Sequence, residues 1–129
     1  MDWKTGNDLK TSKKSEEIFS RIEASENLPF YVTVKLAMAM SMRSDQPLIE
    51  KDFHTNTLGR ELNRQTITGD ADALYKCLME LYANRHLSDE EFFPDYVKAH
   101  IDRGALMLDR EQKYGEDFLI HLTELEKGI

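Results

Sequence analysis

Between Phe30 and Met42 only Thr33, Lys35 and Ser41 are polar. No other stretch of the chain restricts its fold as much. A helix that is apolar nearly all round must be covered on more than one side. The chain has 129 residues, enough for one domain with one core. A helix from Pro29 to about Met42 therefore belongs at its centre, with a face left over for another subunit. Phe30, Val34, Met38 and Met42 are the candidate oligomer interface. The alternative is a helix wrapped entirely within a monomer, which needs most of the other helices around it. Met38, Met40, Met42 and the later Met79 are adaptable packers, and core filling explains them better than a ligand or metal role.

The rest of the chain supplies those other helices. Residues 1–8 read as a flexible lead-in, and Leu9-Lys10-Thr11 suits a short strand or an extended arm. Ser12 is an N-cap for a helix over about 13–25, with Glu16 and Glu17 in the turns where negative charge suits the dipole. Ile18, Phe19 and Ile22 give that helix a narrow apolar stripe. Arg43 to Thr57 is a connector, broken at Ser44-Asp45-Gln46-Pro47 and pinned to the core by Leu48, Ile49, Phe53 and Leu58. A third helix follows Gly69 and runs to about Arg85. Ala71, Leu74, Tyr75, Leu78, Leu81 and Tyr82 give it a face of helical period. Cys77 lies beside Leu74 and Leu81 and reads as a buried, inert thiol. Ser88 and Glu91 form a capping box. Pro94 removes a backbone donor, so one turn ends there and a fourth helix spans about 94–112. Gly104 within it marks the close approach of a neighbour. Residues 113–129 hold a last amphipathic helix, over 116–126, and a tail. The fold class is all-α: one compact domain over residues 1–129, a bundle of about four to five helices, with a short N-terminal strand as an optional addition.

Composition narrows the function mainly by exclusion. No apolar run is long enough to span a membrane, and the N-terminus lacks the pattern of a signal peptide. One cysteine rules out an internal disulfide framework. A cytoplasmic protein is the default expectation. The net charge is −7, and it lies wholly in residues 70–129, because the first 69 residues are balanced. Any contact with a polyanion has to come from a local basic face in that first part. Lys10, Lys13 and Lys14 cluster at the start of the first helix. Arg60 and Arg64 are four apart, in a polar stretch from Gly59 to Gly69 that suits a fixed loop. Such side chains can hold phosphates, but Glu16, Glu17 and Glu61 sit nearby, so a solvated surface with ion pairs is an equal reading. Asn63 and Arg64 fit a tie from this loop to the fourth helix or a neighbouring subunit better than a direct DNA contact. Thr66 or Thr68 is available to cap the third helix.

No P-loop, zinc-type Cys/His cluster, His-Glu-x-x-His or nucleophile elbow is present, so no cofactor or metal is expected. His100-Ile101-Asp102-Arg103-Gly104 is the nearest string to a catalytic one. On a helix, His100 and Asp102 point apart, which favours a packed, hydrogen-bonded histidine over a general base. No catalytic residue is assigned.

Leu9–Lys13, the string Val34–Ser41, the stretch Gly59–Gly69 and the string His100–Gly104 together resemble the DndE family, small components of bacterial DNA phosphorothioation systems. The resemblance covers about residues 9–112. Within the middle stretch, Gly59, Glu61, Leu62, Asn63, Arg64, Thr66, Ile67 and Gly69 fill the family's places. It implies a helical, self-assembling protein that acts with an SMC-like ATPase and a sulfur-transfer partner. Family members are also associated with binding nicked duplex DNA through lysines.

The expectation is a non-catalytic subunit bridging those partners and DNA. Lys10, Lys13, Lys14, Arg60, Asn63 and Arg64 are the candidate DNA- or partner-binding residues. The alternatives are a protein-interaction module without DNA affinity and a ribbon-helix-helix regulator, since the strand–helix–helix order of residues 9–43 also resembles that unit.

Overall fold

The computed structural model describes residues 8–114 and 122–123. The bundle is all-α apart from one small ladder. Strand β1 (Asp8–Lys10) leads into α1 (Lys13–Glu26) and α2 (Phe30–Arg43). The connector carries one 3-10 turn, Glu50–Phe53. Strand β2 (Glu61–Asn63) then leads directly into the four-residue helix α3 (Arg64–Ile67). After a second 3-10 turn come α4 (Asp72–Ala83) and, past a kinked segment at Glu91–Tyr96, α5 (Val97–Tyr114).

The local chemistry explains most of these boundaries. Ser12 caps α1, its hydroxyl accepting from the Ser15 amide at 3.0 Å. Asn27 ends α1 in the left-handed region (φ 57°), and its amide returns to the Glu23 carbonyl. That conformation suits asparagine better than most residues. Ser88 and Glu91 make both bonds of the capping box, at 2.9 and 3.1 Å. The chain then breaks from helical geometry at Phe93 (φ −126°, ψ 119°), and the Phe93–Pro94 peptide is cis. The break falls just before Pro94, where the sequence places the start of the fourth helix; Pro94–Tyr96 lead into the regular α-helical run Val97–Tyr114.

The core forms where α1, α2 and α5 meet, and Phe92 and Phe93 close one end of it. Ile18, Phe19 and Ile22 enter it from α1, and Ile101, Ala105 and Leu108 from α5, all fully buried. Phe19 and Phe30 meet edge to face, 5.4 Å between ring centres. Helices α2 and α5 cross at Gly104. A Cβ placed there would lie 1.8 Å from the Ala37 carbonyl oxygen, so the close approach read from the sequence is a contact of backbone with backbone.

The strand at the N-terminus has a partner that the sequence reading did not supply. β1 and β2 pair antiparallel, Asp8 opposite Asn63, Leu9 opposite Leu62 and Lys10 opposite Glu61. Leu9 and Leu62 turn into the core and the flanking residues face out. The strand–helix–helix order holds, but its ribbon is completed within the same chain.

Two expectations about the core need correction. Ile49 and Leu58 do not pin the connector, being 51 % and 71 % exposed; Phe53 does, packing edge-on against Tyr96 with centroids 4.9 Å apart. Helix α4 turns in Met79 together with Tyr75 and Tyr82 of the predicted face, whereas Leu74, Cys77, Leu78 and Leu81 are exposed. The reason is that α4 carries two apolar stripes of equal period. Tyr75, Met79 and Tyr82 form the inner one, so Cys77 on the other is not buried. Leu122 packs against the core. The expected helix over 116–126 otherwise falls outside the described residues, as does the lead-in before Asp8.

Candidate functional site

The polar segments of the chain converge on one corner of the bundle. The β1–β2 ladder continues past its last pair, with the Thr11 amide donating to the Arg60 carbonyl at 3.0 Å and the Gly59 amide to the Thr11 carbonyl at 2.9 Å. The Arg60 amide donates to Thr11 Oγ1 at 3.1 Å. Gly59 is required here, because a Cβ would fall 2.3 Å from the Ser12 carbonyl oxygen. These bonds place Arg60 beside the segment that carries Lys10, Lys13 and Lys14. All four side chains are exposed. The Arg60 guanidinium lies over the Phe30 ring, 3.9 Å from its centre, a cation–π contact that restricts an otherwise mobile side chain.

The corner is a mixed surface. Lys13 Nζ sits 3.0 Å from Glu16 Oε1, and that bond first of all holds the Lys13 ammonium above its ordinary pKa. Lys10 stands opposite Glu61 in the ladder. The first-turn amides of α1 are also largely spoken for. The Ser12 amide donates to Asp102, the Lys13 amide to Asn56 Oδ1 at 2.9 Å, and the Ser15 amide to Ser12. An anion at this corner would therefore meet lysine side chains rather than the open end of a helix.

Beneath the corner lies a network that the sequence reading missed. Asp102 is 3 % exposed, and its two oxygens divide their work. Oδ1 accepts from the Ser12 amide at 3.1 Å and Ser15 Oγ at 2.6 Å. Oδ2 accepts from Thr55 Oγ1 at 2.5 Å and Lys98 Nζ at 2.6 Å. Lys98 Nζ also donates to Thr55 Oγ1 and to the Asn56 carbonyl, at 2.7 and 2.9 Å. A buried carboxylate needs such a counter-ion and full hydrogen bonding. The signal available in the sequence was the i, i+4 pair Lys98 and Asp102, a spacing that more often marks a surface ion pair.

Asn63 and Arg64 are drawn away from this corner. Asn63 caps α3, accepting from the Gln65 amide at 2.8 Å, and donates to Asp8 Oδ1 at 3.0 Å. Arg64 grips Asp72 through two bonds, at 2.9 and 2.7 Å, and Asp89 through two more, at 3.1 and 2.7 Å. It lies over the Phe92 and Phe93 rings. Its bonds to Asp72 and Asp89 raise its pKa, and it holds both carboxyls below the usual range. Arg64 thus ties α3 to α4 and to the turn before α5. Thr68 joins this cluster, donating to Asp72 Oδ1 at 2.5 Å, and makes no cap on α4.

His100 is packed rather than presented. Its Nδ1 shares a 2.8 Å hydrogen bond with Ser41 Oγ, and both side chains are fully buried. Its Nε2 has no hydrogen-bond partner. Burial, aided by the neighbouring Arg103 charge, pushes its pKa down to about 3. Arg103 completes the cluster, donating to Ser41 Oγ and to Tyr82 Oη at 2.8 and 2.6 Å. The serine–histidine pair opens to no solvent, and so offers nothing for a substrate to approach. Among the described residues no set of His, Cys, Asp or Glu side chains converges as a metal site. No described helix is long and apolar enough to cross a membrane.

The four residues expected at an oligomer interface separate. Phe30, Val34 and Met38 are 6 %, 1 % and 0 % exposed within the single chain, because α1 and α5 cover that side of α2. Met42 alone stays partly open. It lines a groove of about 530 Å³ with Ala39, Arg43, Leu78, Leu81 and Tyr82. With Leu74 and Leu78 next to Leu81, one stretch of exposed apolar surface lies on α4 and the outer edge of α2; Ile49, Leu58 and Leu106 are exposed elsewhere.

The family model described as "DNA sulphur modification protein DndE" matches residues 8–116. The fold is similar to a crystal structure of DndE from Escherichia coli B7A, described as involved in DNA phosphorothioation modification. The TM-score is 0.62 at 15 % identity, covering 77 % of this chain and 94 % of that one. It is also similar to a DndE G21/24K mutant, with a TM-score of 0.59 at 16 % identity, over 78 % and 95 % of the two chains. No curated protein matches the chain.

Proposed function

The chain belongs to the DndE family of DNA sulphur modification proteins, and on that premise we propose that it is a non-catalytic subunit of a DNA phosphorothioation complex. It bridges duplex DNA, nicked duplex in particular, and an SMC-like ATPase or sulfur-transfer partner. The observation that carries the DNA half is the corner itself. Lys10, Lys13, Lys14 and Arg60 are exposed on backbone fixed by the ladder and by Gly59. Asn63 and Arg64 leave the candidate DNA contacts, since their polar groups serve the fold. Assembly, with further copies or with a partner, uses the apolar surface of Met42, Leu78 and Leu81.

A gel-shift titration against nicked and intact duplex at two salt concentrations tests the DNA half. Each phosphate neutralised contributes roughly 0.9 to the slope of log K against log salt on duplex DNA. Lys13→Ala/Lys14→Ala is therefore expected to weaken binding and flatten that slope. An unchanged slope removes both lysines as phosphate contacts.

A second reading is a protein-interaction module without DNA affinity. The acidic pairing at the corner and the exposed apolar surface of α4 favour it. Co-purification with the ATPase together with no duplex shift selects it. The ribbon-helix-helix regulator is disfavoured because β1 takes its partner from its own chain, whereas such a regulator offers the DNA groove a ribbon built from two copies.

A further inference from the structure

We propose that Asp102, neutralised by Lys98, is the positioning residue of the basic corner: it fixes the spacing of the lysines of α1 from Arg60, and so sets the corner's affinity for a DNA backbone. This rests on the DNA-binding reading above and adds a residue that touches no phosphate.

The argument is one of connection. The corner is assembled from two pieces of chain that are far apart in sequence, the start of α1 and the end of the connector. Asp102 reaches both at once. Oδ1 holds α1 through Ser12 and Ser15, and Oδ2 holds the connector through Thr55. Lys98 doubles the second link by bonding Thr55 and the Asn56 carbonyl. Asn56 then passes the constraint on, since its side chain accepts from both the Lys13 and Leu58 amides, at 2.9 and 3.0 Å. From Leu58 the chain enters Gly59 and Arg60. The connector has no regular structure between Phe53 and Glu61, so these bonds and the Thr11 contacts hold it in place.

Lysines have long, mobile side chains, and binding through them loses freedom that only a fixed backbone can limit. A carboxylate suits this task because it offers two acceptors. An asparagine keeps one acceptor oxygen; with that oxygen toward Ser12 and Ser15, its amide faces Lys98 Nζ donor to donor, so the link to the connector through Lys98 is lost. The burial of Asp102 makes the difference large, since a half-satisfied buried network is worse than none.

Asp102→Asn separates positioning from contact. Fluorescence anisotropy with a labelled nicked duplex reads the affinity and its salt slope, at a temperature where circular dichroism shows every variant folded. Asp102→Asn is expected to weaken binding by roughly tenfold with an unchanged salt slope, because all four cations remain. Met79→Ala, in the core under α4 and away from the corner, is the control for general loosening and is expected to bind like the unsubstituted chain. Wild-type affinity in Asp102→Asn overturns the inference and leaves the DNA reading standing. So does an equal loss in Met79→Ala. If Asp102→Asn does not fold, Thr55→Val, which cuts the two bonds of Thr55 Oγ1 to Asp102 and Lys98 and keeps the carboxylate, takes its place with the same outcomes. No binding by the unsubstituted chain removes the DNA reading and the inference together.

Discussion

Two polar side chains of the sequence, a possible base at 100 and a possible anion grip at 64, are both held within the fold, in different ways. Arg64 spends its guanidinium on Asp72 and Asp89 and becomes a tie. His100 is sealed with one nitrogen unpaired, which makes it a liability in acid. In the folded chain it stays neutral down to about pH 3, while in the unfolded chain it takes a proton near the ordinary 6.5. The folded-state value is the lower one, so the unfolded state binds the extra proton as pH falls. Stability present above pH 6.5 is therefore lost between 6.5 and about 3. By pH 4 this amounts to about 3 kcal/mol. Urea unfolding at pH 7 and pH 4 checks it: the loss between the two is expected to shrink by about that amount in His100→Gln, and equal losses in both proteins would refute it. The packed histidine was legible in the sequence because a helix sends residues 100 and 102 in different directions. The burial of Asp102 was not legible, since nothing in the spacing of Lys98 and Asp102 tells a buried pair from a surface one.

Among the elements, α2 and α5 form the axis of the molecule, and Gly104 is where they touch. Ordinary helix propensity favours alanine there by about 1 kcal/mol. The Ala37 carbonyl opposes it, because it is backbone and cannot swing aside as a side chain would. Overpacking at such a site costs roughly 1–3 kcal/mol, and more when backbone must move. Gly104→Ala is thus expected to destabilise the protein, read as a lower midpoint in thermal or urea unfolding; a stabilised variant would show that the helices can part at no cost. Helices α1, α2, α4 and the capping box were all readable, because caps and period are local signals. Two features were not. Helix α4 has two apolar stripes, and period alone cannot say which one meets the core. Strand β2 is three residues long, and its partner lies half the chain away, so no local pattern announces it.

Over the described residues, part of the exposed apolar surface stands apart from the lysine corner. The lysine corner sits at the start of α1, while Leu74, Leu78 and Leu81 stand exposed on α4. Contiguous exposed apolar surface of this kind marks an interaction site more often than an accident of packing. Leu78→Glu/Leu81→Glu is expected to leave the fold's stability within about 0.5 kcal/mol for each substitution, as at other surface positions. It is expected to lower the mass measured by light scattering if copies associate through this surface. An unchanged assembly would move the interface elsewhere. The helical bundle could be read from the sequence at this scale, but the outward face of α4 could not, since it depends on which neighbours pack against α4.

The β1–β2 ladder also decides when the lysine corner can exist. It joins Asp8 to Asn63, and so closes a loop that contains the whole of α1, α2 and the connector. Pairings between such distant segments wait until the intervening chain has collapsed and the entropy of closure has been met. Helices α1 and α2 carry local signals, the Ser12 cap of α1 and the apolar run of α2, yet these do not bring Arg60 to Thr11. The corner is therefore expected to complete after the core, and an incompletely folded copy presents its lysines without the fixed backbone around them.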